Sequence, residues 1–191
     1  MINLEEKPIK SRIVFKGEFL ELYHDQVLLP NGEIGNREYI NHPGAVCCLP
    51  ILPNGQIALI KQYRYAVKKE MIELPAGKLD RNEIPEACAL RELEEEIGYK
   101  AETLTLLTNI HPAIGFANEN MWLYLAENLV KTELNLDSDE FLELIPTKLF
   151  HYPLPIFCPL MPKLLKLFFT KKKANGKKEA NGQKIKLEIK K

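Results

Sequence analysis

Three glutamates in the middle of the chain, Glu92, Glu95 and Glu96, have the spacing of side chains that share one side of an α-helix. At about 100° per residue they lie within about 100° of one another around the helix axis. Carboxylates gathered in this number suit hard divalent cations, above all Mg²⁺ or Mn²⁺. A solvated acidic helix face, stabilised by pairs such as Arg91 with Glu95, has the same pattern. The spacing alone leaves both interpretations open.

The helix that carries these glutamates is predicted over residues 83–97. Asn82 can cap its start, Pro85 is tolerated in a first turn, and Gly98 suits the left-handed residue that ends a helix. The side opposite the glutamates is apolar and is predicted to face the core through Leu90, Leu93 and Ile97.

Apolar and β-branched runs surround this helix and predict strands. They lie at 12–15, 19–23, 26–29, 38–40, 45–52 and 56–61 before it, and at 103–110, 121–125 and 141–145 after it. Pro30-Asn31-Gly32 and Pro53-Asn54-Gly55 interrupt the early runs, and Asn-Gly in such a place is a hairpin signal. The first third is therefore predicted to be antiparallel sheet, and the whole pattern indicates an α+β layered domain.

The segment around the glutamates resembles the Nudix box, G-x5-E-x7-R-E-U-x-E-E-x-G-U, in which U is aliphatic. Here the pattern is met by Gly77, Glu83 and the run Arg91-Glu92-Leu93-Glu94-Glu95-Glu96-Ile97-Gly98-Tyr99. All seven fixed positions match, and the aromatic Tyr99 is the one departure. This resemblance favours the metal-binding interpretation over the solvated face.

Outside the box the chain is similar to the ADP-ribose pyrophosphatase branch of the Nudix hydrolases. The matching segments are His42-Pro43-Gly44-Ala45-Val46, Gln62-Tyr63-Arg64-Tyr65, Glu73-Leu74-Pro75-Ala76-Gly77-Lys78-Leu79-Asp80 and Asp137-Ser138-Asp139-Glu140-Phe141. The resemblance implies a Nudix fold, with a mixed β-sheet sandwiched between α-helices and an N-terminal antiparallel β-sheet extension. It also implies a homodimer whose N-terminal strands help to complete the partner's site.

The same resemblance implies a set of site residues. The metal ligands would be the Ala76 backbone carbonyl and the carboxylates of Glu92, Glu95 and Glu96, with Mg²⁺ as the cofactor and Mn²⁺ as a possible substitute. Arg91 would orient these carboxylates with Glu83 as its partner. The catalytic group would comprise Arg91, Glu92, Glu95 and Glu140.

The residues implied for substrate binding are Arg64, Glu73, Arg37 and Gly115. A strand-end surface cation is the alternative for Arg64, and a salt bridge at the rim is the alternative for Glu73. Gly115 follows Ile114, where that branch usually has proline, so the preferred nucleotide could differ.

Glu140 stands where many of these enzymes hold a catalytic glutamate on a loop. Asp139 and Glu143 are the alternatives for that role, a glutamate of the box could serve as the general base, and the acidic run could also be merely solvated.

The implied activity is Mg²⁺-dependent hydrolysis of the pyrophosphate bond of a nucleoside diphosphate linked to X, above all of ADP-ribose to AMP and ribose 5-phosphate. The adenine would stack on Phe19, Tyr23 or Tyr39. The alternatives are another substrate (NADH, a diadenosine polyphosphate or an NDP-sugar) and a non-catalytic module that senses a nucleotide.

The charge of the chain is divided between two regions. Lys plus Arg and Asp plus Glu are both 26 in 191 residues, but residues 171–191 hold nine Lys and two Glu, a charge of +7. The rest therefore carries 17 − 24 = −7, and the balanced charge of the whole chain makes nucleic acid an unlikely partner, with anion or RNA binding by the tail as the alternative. We predict an N-terminal β-hairpin region over 1–43, a catalytic domain over 44–170 that ends with a helix from Pro162, and a basic low-complexity tail over 171–191.

Several classes of function and location are disfavoured. No G-x-S-x-G, P-loop or Rossmann glycine pattern occurs, and the four histidines lack zinc-site spacing. No secretory signal or membrane-spanning run is visible, and the four cysteines contain no C-x-x-C pair. A cytoplasmic protein with reduced, buried cysteines is expected.

Overall fold

Ten strands and one helix make up the part of the chain that the structure, a computed structural model, describes: residues 3–136, 138 and 140–148. The strands before the helix are β1 (Lys7–Lys16), β2 (Glu21–Leu28), β3 (Ile34–Asn41), β4 (Ala45–Pro50), β5 (Ile57–Arg64), β6 (Lys69–Glu73) and β7 (Ala76–Lys78). The helix is α1 (Pro85–Ile97), and it is followed by β8 (Tyr99–Ile110), β9 (Met121–Lys131) and β10 (Leu142–Thr147).

The N-terminal strands form an antiparallel sheet in the order β1-β2-β3, as predicted. The Pro30-Asn31-Gly32 turn joins β2 to β3, and Gly32 adopts a φ of 88°, which only glycine adopts without strain. Every residue of β1 is exposed. This sheet therefore buries little on its first strand and offers that strand to solvent.

The second Asn-Gly turn brings Ile51 opposite Ile57 in one antiparallel bridge, but β4 and β5 then enter different sheets. The prediction of antiparallel sheet through the first third is therefore correct for β1, β2, β3 and β5 and wrong for one edge of β4. β4 lies between β7 and β9 in the four-stranded sheet β7-β4-β9-β8, and it runs parallel to β9. β5 lies in another sheet, ordered β10-β5-β6, and one bridge, Ile51 to Ile57, is what joins the two segments across the turn. All six residues of β4 are buried, which is typical of a central strand with neighbours on both edges.

The core lies between α1 and the sheets. Leu93 and Ile97 are buried as predicted, whereas Leu90 is only partly buried at the margin of the core. They pack with residues of β4, β5 and β9: Val46, Cys48, Ala58, Ile60, Tyr124 and Ala126. Each fully buried large apolar side chain contributes roughly 1.5–3 kcal/mol, so this contact anchors the helix against the sheets. Cys47, Cys48 and Cys88 are buried, as expected, and none of the three forms a disulfide within the described residues.

The helix begins two residues later than predicted, and Asn82 is not its cap. Asn82 has a φ of 66°, and Ile84 precedes the first turn in an extended conformation without a side-chain cap. The residue before a proline is disfavoured in the helical region, and Pro85 therefore sets the start. Gly98 ends the helix in the left-handed conformation with a φ of 66°, as predicted.

The α+β class and the mixed sheet are confirmed, and within the described residues α1 supplies the helical layer. The helix predicted from Pro162 and the basic tail over 171–191 lie outside the described residues, as does Cys158. In the described part of the chain, no helix has both the length and the apolar character needed to cross a bilayer.

Candidate active site

The acidic face of α1 comprises Glu92, Glu95 and Glu96, and two of these glutamates lie against β7. Glu92 and Glu96 belong to the same buried side of the helix as the core residues Cys88, Ala89, Leu93 and Ile97. Glu92 is 7% exposed and Glu96 is 2% exposed, so this face is buried and not solvated. A Cβ added to Gly77 would lie 1.7 Å from Glu92 Oε1. The Glu92 carboxylate therefore occupies the space that a side chain at residue 77 would take. Helical spacing correctly predicted that the glutamates lie together, but the prediction that they lie opposite the core is wrong, because Glu92 and Glu96 are on the buried side of the helix.

Arg91 is the hub of the acidic network. Its Nη1 donates to Glu92 Oε1 and to Glu95 Oε2, both at 2.8 Å. Its Nε and Nη2 donate to the two oxygens of Glu83, both at 2.9 Å. One guanidinium thus fixes three carboxylates, which is the orienting arrangement that the family resemblance implies.

Glu96 is held from the other side by the chain at β7. The backbone N–H of Ala76 donates to Glu96 Oε2 at 2.9 Å. This contact brings Ala76 and Glu96, two of the expected metal-site residues, next to each other. Glu92, Glu95 and Glu96 each keep one oxygen that makes no hydrogen bond within the described residues.

The electrostatics of the site show a shortage of positive charge. Burial raises the pKa of Glu96 to about 9, and the nearby charge of Glu92 adds to this effect. Burial also raises the pKa of Glu92 to about 7, although Arg91 opposes the shift. The hydrogen bonds from Arg91 instead lower the pKa of Glu83 to about 2. The positive charge of Arg91 therefore stabilises the ionised form of Glu83. It does not offset the burial of Glu92 and Glu96, whose ionised forms would be stabilised by a further cation.

The donor set fits a hard divalent cation in its chemistry. Three carboxylates with free oxygens share one helix face, and two of them gain from a nearby positive charge. The described residues contain no group of three Asp, Glu, His or Cys side chains close enough together to enclose an ion. Arg91 accounts for this, because it draws one oxygen each of Glu92 and Glu95 toward itself.

Arg64 and Glu73 form a second, smaller unit beside the glutamates. Arg64 Nη2 donates to Glu73 Oε2 at 2.7 Å, and Nε donates to Glu73 Oε1 at 2.9 Å. This pairing raises the pKa of Arg64, and the charges of Glu96 and Glu140 act in the same direction. Glu73 is 2% exposed, so its pair with Arg64 is not the rim salt bridge considered as an alternative.

Glu140 is half-buried immediately before β10, and its charge raises the pKa of both Glu92 and Glu96. It therefore lies within electrostatic reach of the acidic face. Glu143, an alternative for its role, is paired with Lys61 at 2.9 Å and is 65% exposed. Asp139, the other alternative, lies outside the described residues.

Two expected substrate residues, Arg37 and Gly115, make no contact with the acidic face within the described residues. Arg37 on β3 binds Glu6 through Nε and Nη2, within the N-terminal region. Gly115 faces open space, since a Cβ added there would meet no atom within 4 Å. Within the described residues, the structure therefore places Arg64, Glu73 and Glu140 near the acidic face, whereas Arg37 contacts Glu6 and Gly115 borders open space.

Sequence reasoning assigned no role to Gly77 beyond its place in the box. The signal that could have shown it is a glycine inside a short strand, which marks a close approach by another group. Here the approaching group is the Glu92 carboxylate.

Comparison with known families gives two adjoining matches. The NUDIX domain family matches residues 41–158, and the nucleoside diphosphate sugar hydrolase N-terminal domain family matches residues 6–40. The second match covers the three-stranded N-terminal sheet almost completely.

Individual relatives agree with the first family. An ADP-ribose pyrophosphatase of Bacillus subtilis is 44% identical over 78% of this chain and 82% of its own length. A methanol dehydrogenase activator of Bacillus methanolicus is 45% identical over 74% of this chain and 77% of its own. A crystal structure described as an ADP compounds hydrolase has the same fold, with a TM-score of 0.73 and 23% identity, over 91% of this chain and 98% of that one. On this evidence the chain belongs to the Nudix family and is a Nudix pyrophosphohydrolase.

Proposed function

We propose that this protein catalyses the Mg²⁺-dependent hydrolysis of ADP-ribose to AMP and ribose 5-phosphate. The observation that carries the proposal is the pair of buried carboxylates, Glu92 and Glu96, on a helix face that lacks sufficient positive charge. The choice of ADP-ribose is supported by the Bacillus subtilis relative, which is named for that substrate.

The residues that would hold Mg²⁺ are Glu92, Glu95, Glu96 and the carbonyl of Ala76, and Mn²⁺ could substitute. Bound there, the ion would neutralise charge on a diphosphate and lower the pKa of a water. Arg91 keeps the carboxylates oriented through its bonds to Glu83, Glu92 and Glu95. Arg64, held by buried Glu73, keeps part of its guanidinium exposed for a phosphate oxygen.

Glu140 is the proposed general base. It is half-buried beside the acidic face, but it is not one of the carboxylates that Arg91 holds. It is therefore free to take a proton from the attacking water, with Arg91, Glu92 and Glu95 maintaining the site around it.

Replacing Glu140 with glutamine is expected to lower kcat by about 100- to 1,000-fold, because positioned general bases contribute about 10² to 10⁴. KM and the Mg²⁺ concentration for half-maximal rate should change little. Glu143→Gln is the matched control, because Glu143 binds Lys61 at an exposed position three residues away. Steady-state kinetics of both variants decide the matter: a loss in Glu143→Gln with a normal Glu140→Gln would reverse the assignment.

The substrate is tested by phosphate release from a panel of nucleotides with and without Mg²⁺, coupled to a phosphatase. The panel is ADP-ribose, NADH, diadenosine polyphosphates, GDP-mannose and UDP-glucose. We expect the highest kcat/KM for ADP-ribose. A higher kcat/KM for another compound would change the assigned substrate but not the assigned reaction, pyrophosphate hydrolysis. No phosphate release from any compound would contradict the proposal.

A second candidate function comes from the name of the Bacillus methanolicus relative, which is an activator of methanol dehydrogenase. The rate of a purified methanol dehydrogenase, measured with and without this chain, tests it. Activation that survives Glu96→Gln would favour a nucleotide-sensing or binding role over hydrolysis.

The N-terminal sheet is the proposed dimerisation region, and its partner copy would complete the substrate site. The exposed apolar side chains of β1 support this, as does the contact of Arg37 with Glu6 instead of with the acidic face of its own chain. Among the aromatic candidates for the adenine, Tyr23 and Tyr39 stack on each other at 5.3 Å, whereas Phe19 remains half-exposed. Sedimentation should report a dimer, and a monomer at micromolar concentration would contradict this part.

A further inference from the structure

The loop over residues 111–119 is attached to the N-terminal sheet by hydrogen bonds to the end of β3. Ile40 N–H donates to the carbonyl of Phe116 at 2.8 Å, and Asn118 N–H donates to the carbonyl of Ile40 at 3.2 Å. Two further bonds come from one side chain. Asn118 Oδ1 accepts from the N–H of His42 at 2.8 Å, and Asn118 Nδ2 donates to Asn41 Oδ1 at 2.7 Å.

The tip of the same loop is free. Ile114 is 82% exposed, Phe116 is 61% exposed, and Gly115 between them faces open space. The base is closed by a hydrogen bond between His111 Nδ1 and the carbonyl of Glu119 at 2.8 Å. The loop is therefore held at its base and along one side, and it presents a short exposed tip.

His42, which Asn118 binds, is connected to the residue that follows β7 by two hydrogen bonds through Gly44. Gly44 N–H donates to His42 Nδ1 at 3.1 Å, and Leu79 N–H donates to the carbonyl of Gly44 at 3.0 Å. Leu79 follows β7, whose Gly77 lies against the Glu92 carboxylate. Gly44 has a φ of 100°, and a Cβ there would lie 2.9 Å from the Trp122 ring. This turn therefore requires glycine at residue 44.

We propose that Asn118 is a positioning residue, which fixes the tip of the 111–119 loop relative to β7 through His42 and Gly44. Its side chain supplies two of the four hydrogen bonds that attach the loop to β3 and to the next residue, His42, and the bond to His42 begins the connection to β7. The inference rests on the proposed function in one respect, since it takes Gly115 at the tip to border the bound nucleotide.

Asn118→Ala should remove the two side-chain bonds and leave the two backbone bonds to Ile40. The fold should therefore survive, although loss of the two hydrogen bonds should lower the melting temperature by several degrees relative to Asn109→Ala, the matched control at an exposed position of β8. Two net hydrogen bonds of about 1 kcal/mol each correspond to roughly a tenfold or greater rise in KM for ADP-ribose. We expect kcat to change less than about twofold, because the acidic face is untouched. The rise in melting temperature on adding Mg²⁺ alone should be unchanged.

Asn118→Asp separates positioning from a general structural role. Its Oδ1 can still accept from the His42 N–H, while the donor to Asn41 is lost. It should therefore recover part of the KM that the alanine variant loses. Amide hydrogen exchange gives a readout that needs no substrate: exchange at His42 should be faster in Asn118→Ala and close to normal in Asn118→Asp.

Faster exchange at His42 together with a raised KM supports the inference. Unchanged exchange overturns it, and so does faster exchange with an unchanged KM, or a loss of kcat without a change in KM. These outcomes are read on whichever nucleotide of the panel the wild-type protein hydrolyses, so another preferred substrate corrects the proposed function alone. If the wild-type protein hydrolyses none of them, both proposals fail.

Discussion

Replacing Glu96 with glutamine is expected to inactivate this enzyme and to stabilise it without metal. Turnover at saturating Mg²⁺ should fall by at least about 100-fold, since even partners of metal ligands typically contribute 10- to 100-fold. The fold should persist, because a glutamine oxygen can still accept the hydrogen bond from Ala76 N–H. Glutamine is also neutral at every pH, so burying it at this 2% exposed position costs the metal-free protein less than burying an ionisable carboxyl group.

The stability gain should depend on pH in a defined direction. Because burial raises the pKa of Glu96 to about 9, the folded state binds more protons than the unfolded state between the ordinary glutamate pKa of 4.5 and about 9. Wild-type stability without metal therefore falls as pH rises through that window. In EDTA at pH 8, Glu96→Gln should be more stable by roughly 1–3 kcal/mol, and the difference should disappear near pH 4.

Thermal unfolding across this pH range, with EDTA and with Mg²⁺, measures both effects. Mg²⁺ should raise the melting temperature of the wild type but not of Glu96→Gln, since a ligand stabilises only the state that binds it. The control is Glu94→Gln, on the same helix at an exposed position, which should keep normal activity and the normal Mg²⁺ response. Near-normal turnover in Glu96→Gln would contradict the assignment of Glu96 as a metal ligand.

Gly77→Ala is expected to abolish most activity while costing little stability. The three atoms nearest to an added Cβ all belong to the Glu92 carboxylate, at 1.7, 1.9 and 2.5 Å. This group is the end of a flexible side chain, so it can move away without disturbing the backbone. Its displacement removes one carboxylate from the acidic face, and activity should fall on the order of 100-fold, as for loss of Glu92 itself.

A double-mutant cycle with Glu92→Ala tests this mechanism. If the added methyl group acts through Glu92, the double variant should be no less active and no less stable than Glu92→Ala alone. Enzyme assays and thermal unfolding of the four proteins give the two coupling energies. Additive losses would show that Gly77 matters for another reason, and full activity of Gly77→Ala would show that the Glu92 position is not critical.

Much of the site could be predicted from local spacing. The residues from Glu83 to Gly98 lie on one helix or directly beside it, and their geometry follows from helical periodicity. The buried strands were also located well, because their apolar runs are long. Asn82 was misassigned because the restriction imposed by Pro85 on its neighbour outweighs the capping preference. The parallel pairing of β4 with β9 was not predicted, because these two strands are distant in sequence.

What the sequence determined by itself was the family, the helix with its glutamates and the presence of Arg91 among them, since these depend on residues a few positions apart. Tertiary structure alone decided the burial of Glu92 and Glu96, because β7 must first be brought onto the helix by its pairing with β4. It also decided that Glu143 binds Lys61 while Glu140 lies near the acidic face, and that Asn118 reaches His42 across 76 positions. A sequence shows which residues can carry charge, but it does not fix their pKa values. The pKa of a carboxylate depends on its solvent exposure and on its charged and hydrogen-bonding neighbours, which the fold determines.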